Sequence, residues 1–152
     1  SRLARKGNKS RDTGMGLERI VTVSQNKNSV YETDVFYNTM KKIDEISKRD
    51  LLSSKRIVAD HIRSSSMLIE DGVIPSNVDQ GYILRRLIRR ALRHMRKLEI
   101  DFVYIKDITE AVLLDLENQM GAIQKHIEKL KAQKRIERVG SSTFGGHWDI
   151  KE

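Results

Sequence analysis

The stretch GVIPSNVDQGYILRRLIRRALRH, residues 72–94, contains the only proline of the chain, a helix start and a dense run of arginines. Pro75 fixes its own φ and disfavours helical conformation at the residue before it, so the chain must turn before a new helix begins. Ser76, Asn77 or Asp79 is predicted to accept a first-turn amide as the N-cap. The helical spacing that follows predicts one buried stripe, made of Leu84, Leu87, Ile88, Ala91, Met95 and Leu98.

The opposite face of this predicted helix is strongly basic. Seven Lys or Arg residues lie within residues 85–97, and that stretch contains no Asp or Glu. No i,i+4 pairing relieves their repulsion, so an anionic partner is the simplest compensation, and a solvated helix face is the alternative. Because guanidinium groups bind phosphate oxygens with two hydrogen bonds, RNA or DNA backbone fits best. The predicted contacts are Arg85, Arg86, Arg89, Arg90 and Arg93.

The composition of the 152 residues agrees with a polyanionic partner. Lys and Arg number 29 against 21 Asp and Glu, which gives a formal net charge of +8 and a pI near 9.8. The absence of cysteine excludes disulfides, thiolate metal sites and cysteine nucleophiles. No apolar run is long enough to span a bilayer and no signal peptide is recognisable, so we expect a cytoplasmic protein, with an organelle as the alternative.

A 3.6-residue periodicity recurs along the chain and predicts a mainly α fold, a helical bundle with a short strand or turn near the N-terminus. The segment RIVTVSQ, residues 19–25, suits either a helix or a strand because of its β-branched residues. Further helices are predicted from a cap at Asp34 to about Ser47, from near Ser53 to a stop at Gly72, and as a pair over about 106–118 and 120–138.

Two other features are candidates for ligand contacts. In GMGLER, Gly14 and Gly16 would let a ligand approach the backbone closely, and Arg19 could bind a phosphate group. The pattern lacks the lysine of a P-loop, so a simple turn into a helix explains it equally well. The amide of Asn77 has both the donor and the acceptor that reading a base pair requires, but the residues alone favour the simpler interpretation of Asn77 as only a helix cap.

Four segments, in order from about Asp12 to Leu98, resemble the alanyl-tRNA synthetases: DTGMGLERI, YETDVF, RIVADHIRSSSMLIEDGVIPSN and GYILRRLIRRALRH. GMGLER resembles motif 3 of the class II catalytic domain, and the remainder resembles the helical tRNA-recognition domain that follows it. The resemblance implies three regions. Residues 1–33 would end the catalytic core with a short strand or turn, residues 34–140 would form the acceptor-stem recognition domain, and residues 141–152 would be a tail without an assigned role.

The resemblance also implies roles for individual residues. Arg19 matches the arginine that holds the triphosphate of ATP, with Gly14 and Gly16 beside it, and ATP would act together with Mg²⁺. Asp12 and Gly14 match positions of the alanine pocket, where a carboxylate pairs with the substrate ammonium. Asn77 matches the asparagine that reads the G3·U70 wobble pair of the tRNA(Ala) acceptor stem, and the arginines would bind the backbone beside it.

Other parts of the family pattern do not match. Motifs 1 and 2, with the second ATP-binding arginine, would lie before residue 1, so the isolated chain is expected to need an N-terminal catalytic portion and to be inactive alone. No zinc site is expected, because the four histidines are scattered and no cysteine accompanies them. In HWDI, Asp149 could be a second contact to the wobble pair, or it could belong to the lead into an editing domain.

The sequence therefore predicts part of an ATP-dependent alanine–tRNA ligase, covering the end of its adenylation site and its acceptor-stem recognition domain. The second hypothesis is a non-catalytic RNA-binding module derived from such an enzyme, for instance a component of a ribonucleoprotein. The third is a helical protein-interaction domain whose arginines contact an acidic protein surface. Salt-dependent RNA binding would separate the first two hypotheses from the third.

Overall fold

The computed structural model describes residues 16–133, 136–139 and 147–150, and this part of the chain is mainly α-helical, as predicted. Its elements, in chain order, are α1 (Leu17–Ser24), α2 (Tyr37–Ile46), α3 (Leu52–Glu70), α4 (Asp79–Lys97), α5 (Ile105–Ala132), β1 (Ile136–Val139) and β2 (His147–Ile150). Short 3₁₀ turns lie at Val30–Glu32, Asp34–Phe36 and Phe102–Tyr104. No helix among the described residues is long and apolar enough to cross a membrane.

The core forms where α3 packs along α4 and where α2 and α5 pack against each other and against α3. Each of the four helices contributes fully buried aliphatic side chains, such as Ile43 of α2, Val58 of α3, Met95 of α4 and Ile108 of α5. Burying one such side chain stabilises the fold by about 1.5–3 kcal/mol. The shared core therefore fixes how the helices lie against each other.

Helix α4 buries its predicted apolar stripe. Leu84, Ala91, Met95 and Leu98 are buried, and Leu87 and Ile88 are partly buried. A helix that places apolar residues every three to four positions on one face must turn the residues between them towards solvent. The core therefore determines the direction of the basic face of α4.

The turn between α3 and α4 differs in one respect from the prediction. Gly72 ends α3 in the left-handed conformation, with φ 84°, as predicted. The predicted N-cap of α4 is wrong, because Val78 occupies that position and no side chain caps the helix. The Ser76 hydroxyl accepts from the Val78 amide at 3.3 Å and donates to the Val78 carbonyl at 2.9 Å. The turn also lies directly on Gly81 of α4, where a Cβ would collide with the Ile74 carbonyl oxygen and with Ser76. The packing of Ile74 and Ser76 against Gly81 of α4 thus fixes the conformation of this turn.

Helix α2 is capped by a residue distant in sequence. The predicted cap, Asp34, is wrong, because it begins a 3₁₀ turn and α2 starts at Tyr37. The amides of Asn38 and Thr39 donate to the buried carboxylate of Asp115 on α5, at 3.0 and 2.9 Å. The side chains of the same two residues donate to it at 2.8 and 2.7 Å. Asp115 therefore satisfies first-turn amides that a local side chain was expected to bind.

Helix α5 is continuous, so the predicted pair of helices meeting near residue 119 is wrong. Gln119 lies inside the helix, where its side chain accepts from Arg63 of α3 at 2.9 Å and donates to the Val35 carbonyl at 3.3 Å. Strand β1, which was predicted as the end of a helix, pairs antiparallel with β2. Gln119 thus contacts residues 56 and 84 positions away, whereas the residues of β1 pair with residues of β2 only 8 to 14 positions further along the chain.

Helix α1 includes most of the ambiguous segment at residues 19–25, which is helical through Ser24 and not a strand. Val21 of α1 packs against the core cluster. The short strand or turn predicted ahead of α1 falls on residues 1–15, which lie outside the described residues.

Candidate nucleic-acid interface

The exposed face of α4 and the turn before it form a groove of about 450 Å³. We call it the arginine groove, and its lining residues are Asn77, Tyr82, Arg85, Arg86, Arg89, Arg90 and Arg93. The arginines recur every three or four positions, so they share one side of the helix over about 12 Å of its length. The groove thus brings together Asn77 and all five arginines that the sequence predicts as nucleic-acid contacts.

The positive charge of the arginine groove is not neutralised by any carboxylate that the structure describes. Among the described residues, none of its five arginines forms an ion pair with a carboxylate. Elsewhere, Lys42, Lys55 and Lys106 each lie within 4 Å of a carboxylate oxygen. Uncompensated cations on one helical face repel each other, so a bound anion would stabilise this surface.

Asn77 lies in the turn at the start of the groove, and its Oδ1 accepts a hydrogen bond from the Arg85 guanidinium. Both residues are exposed. Asn77 does not cap α4, so the alternative that it serves only as a helix cap is wrong. Its amide is therefore available to a ligand in the groove.

Tyr82 is a groove residue that the sequence did not predict. The residue is exposed, and the centre of its ring lies 5.7 Å from the guanidinium carbon of Arg86, within the range of a cation–π contact. The two residues are four positions apart on α4, and this spacing of an aromatic and a basic residue could have identified the pair. Tyr82 adds a flat apolar surface to a groove of cations.

The same basic face affects a neighbouring histidine. The Nδ1 atom of His94 on α4 lies 3.0 Å from the hydroxyl oxygen of Ser54 on α3. Burial lowers the pKa of His94, and the positive charges around it lower this pKa further; they belong to Lys97, Arg90, His61 and Arg93. Burial and the positive charges around it therefore both favour the neutral form of His94.

Gly16 and Arg19 are the predicted ATP contacts that fall within the described residues. Gly16 precedes α1, and Arg19 is exposed in its first turn with no carboxylate partner in the described part of the chain. A guanidinium beside a helix N-terminus can bind a phosphate group. Asp12 and Gly14 lie outside the described residues.

Asp149 lies on β2, where the backbone register places it opposite Glu137 of β1. The side chain of Asp149 lies outside the described part of the structure, and so does the contact predicted for it. The residues that the structure does describe contain no group of three or more His, Asp or Glu side chains that could hold a metal ion.

Comparisons with known proteins agree with these features. Residues 3–139 match the family model of class II (A) tRNA synthetases. The alanine–tRNA ligase of Vesicomyosocius okutanii is 40% identical over 147 residues, which cover 93% of this chain and 17% of that protein. The alanine–tRNA ligase of Psychromonas ingrahamii is 48% identical over 78% of this chain and 13% of its own length. That of Francisella philomiragia is 49% identical over 72% of this chain and 12% of its own length.

The chain therefore spans less than one-fifth of the length of each of these relatives. The family model covers far more than half of the chain, and the matched residues include α1, the turn before α4 and the whole arginine groove. The chain belongs to the alanyl-tRNA synthetase family of class II tRNA synthetases.

Proposed function

We propose that this chain provides the acceptor-stem recognition surface of an alanine–tRNA ligase, together with the end of its ATP and alanine site. The observation that carries the proposal is the arginine groove, in which five exposed guanidinium groups without carboxylate partners in the described residues adjoin an exposed amide. The relatives are alanine–tRNA ligases, so tRNA(Ala) is the polyanion that this groove would bind.

The arginines of the groove bind phosphate groups of the acceptor stem in this proposal. Guanidinium groups form charge-assisted hydrogen bonds to phosphate oxygens, which give affinity and set the position of the RNA on the protein. Such contacts carry no sequence information. Affinity that comes from them must fall as salt concentration rises, because binding releases counterions from the RNA.

Asn77 reads the G3·U70 wobble pair. A-form RNA has a wide, shallow minor groove in which base edges are accessible, and guanine presents an amino donor there. The Oδ1 of Asn77 has two lone pairs, and Arg85 occupies one of them. The second lone pair can accept from an amino group, while the Nδ2 of Asn77 can donate to a base oxygen.

The remaining site residues belong to the catalytic side of the ligase. The exposed guanidinium of Arg19 at the start of α1 fits a phosphate group, which supports its assignment to the triphosphate of ATP. Gly14 and Gly16 would give that ligand access to the backbone, and Asp12 would pair with the ammonium of alanine. When bound with Mg²⁺, ATP would supply the phosphoryl chemistry that activates the carboxylate of alanine. An N-terminal catalytic portion would hold the other reacting groups.

Three regions follow from this assignment. Residues 1–33 would end the catalytic core, residues 34–140 would form the recognition domain, and residues 141–152 would be a tail in which Asp149 is a second contact to the wobble pair. A ligase that acts on tRNA in this way would work in the cytoplasm or inside an organelle.

The test compares binding of two RNA hairpins that carry the acceptor stem of tRNA(Ala), one with the G·U pair and one with G·C in its place. Asn77→Ala should weaken binding of the G·U stem by about 1–3 kcal/mol, the usual scale for one base contact, and leave the G·C stem unchanged. Arg90→Gln should weaken both stems equally and reduce the slope of log K against log salt by about 1.

Lys41→Gln, which removes an exposed cation of α2 outside the groove, is the control for charge and should change neither measurement. Equal losses on both stems for Asn77→Ala would rule out base reading by this residue. Unchanged affinity in Arg90→Gln would show that the basic face of α4 is only a solvated surface.

A further inference from the structure

We infer that Arg85 has a different role from the other arginines of the groove: it positions the amide of Asn77 for base reading, whereas Arg89, Arg90 and Arg93 hold phosphates. The inference rests on the proposed function, because it assigns a division of labour within the same groove. The observation behind it is that Arg85 donates a hydrogen bond to Asn77.

The five arginines are all exposed but differ in their partners. Arg85 donates to the side chain of Asn77, and Arg86 lies over the ring of Tyr82. The remaining three have no side-chain hydrogen bond or ion pair within the described residues; they are Arg89, Arg90 and Arg93. An arginine that is already engaged by a side chain has fewer donors and less freedom to follow a phosphate.

The backbone explains why Arg85, rather than another arginine, reaches Asn77. Long side chains on a helix lean back towards its N-terminus, so Arg85 extends towards the turn that precedes α4. That turn packs onto Gly81, where the absence of a Cβ lets the backbone of Ile74 and the side chain of Ser76 lie against the first turns of the helix. Asn77 is thereby held within reach of a residue eight positions further along the chain.

The chemistry of the contact fixes the orientation of the amide. Arginine has five N–H donors and no acceptor, so it can bind only the oxygen end of an asparagine side chain. With Oδ1 held on the side of Arg85, the Nδ2 donors point away from it. Without this partner, the exposed amide of Asn77 could rotate and exchange its donor and acceptor ends. An asparagine whose amide donor and acceptor exchange positions cannot distinguish a G·U pair from a G·C pair.

The experiment measures two quantities for the 152-residue chain: the ratio of its affinities for the G·U and G·C stems, and the salt dependence of G·U binding. The variants are Arg85→Gln, Arg85→Lys and the matched control Arg89→Gln, which lies four positions further along the same exposed face. Circular dichroism at 222 nm establishes that each variant is folded. Arg85→Gln should reduce the G·U to G·C ratio about fivefold or more and leave the salt slope unchanged.

Arg89→Gln should reduce the slope of log K against log salt by about 1 and leave the ratio of G·U to G·C affinities unchanged. Arg85→Lys should recover part of the ratio, because its ammonium group donates to Oδ1 and extends further from the backbone than the shorter glutamine amide. In the Asn77→Ala background, Arg85→Gln should not reduce the ratio further, since the side chain that it positions is gone.

Two results for Arg85→Gln would overturn the inference: an unchanged ratio, or a salt slope reduced as much as in Arg89→Gln. In either case the proposed function would survive, provided that the unmutated chain prefers the G·U stem and that Asn77→Ala abolishes this preference. An unmutated chain that binds both stems equally would overturn the proposed function and the inference together.

Discussion

Replacing the buried carboxylate of Asp115 by an amide should destabilise the protein far more than its conservative chemistry implies. Asp115 is completely buried on α5, and its two oxygens accept four hydrogen bonds from the first turn of α2. Oδ1 binds the amide and side chain of Asn38, and Oδ2 binds the amide and hydroxyl of Thr39. In Asp115→Asn one oxygen becomes an NH₂ group, which faces two donors and can accept from neither.

The size of the loss follows from these four contacts. A hydrogen bond to a charged acceptor contributes about 1.5–3 kcal/mol, against about 0.5–1.5 kcal/mol for a neutral one. Losing two charged bonds costs about 3 kcal/mol at the lower end of that range, and weakening the other two from a charged to a neutral acceptor adds about 2 kcal/mol. The expected total, about 5 kcal/mol, is a large fraction of the 5–15 kcal/mol that typically separates folded from unfolded states.

Urea unfolding, followed by the helical circular dichroism signal, measures this loss directly. Glu117→Gln is the matched control on α5: its carboxylate is exposed and makes no hydrogen bond or ion pair in the described residues, so its change should stay within about 0.5 kcal/mol. Amide hydrogen exchange at Asn38 and Thr39 should accelerate in Asp115→Asn. A loss below about 1.5 kcal/mol, or unchanged exchange at these two amides, would refute the role of Asp115 as the cap of α2.

Two further predictions concern the groove and its surroundings. Gly81→Ala should reduce the free energy of unfolding by about 1–3 kcal/mol, because its Cβ collides with the turn, and should lower the preference for the G·U stem because Asn77 moves. Gly121→Ala on α5 should instead stabilise the protein by up to about 1 kcal/mol, because a Cβ there meets nothing within 4 Å. Urea unfolding measures both variants, and a Gly81→Ala protein more stable than the Gly121→Ala protein would contradict this prediction. Since the pKa of folded His94 is depressed, the unfolded state binds more protons, so stability should fall as pH decreases through about 6.5. His94→Asn should reduce the dependence of the urea midpoint on pH between 7.5 and 5, and an identical dependence in both proteins would exclude His94 as its source.

The local sequence determined much of the arginine groove. The stop of α3 at Gly72 and the stripe of α4 from Leu84 to Leu98 follow from backbone preference and helical periodicity, which act over a few residues. The basic face follows from the same periodicity, because residues that alternate with a buried stripe must be exposed. Charge composition then led us to expect a polyanionic partner, and the resemblance identified the family, which the family model confirms.

Contacts made outside the individual segments determined the rest. Asp115 caps α2 from 76 positions away, and Gln119 joins α5 to α3 where the sequence predicted a break. β1 became a strand only because it pairs with β2. Each outcome depends on a partner that the fold supplies, so the propensity of the segment itself could not reveal it.

The arginine groove depends both on the local sequence and on the tertiary structure. Its five cations and Asn77 can be read from the sequence, because their helical spacing places them on one side of α4. Their individual roles cannot, since these depend on how the turn docks onto Gly81 and on which arginine then meets Asn77 or Tyr82. The sequence alone determined which cations lie on the exposed side of α4. The tertiary structure decided which of them have a side-chain partner among the described residues, because such partners are set by three-dimensional packing.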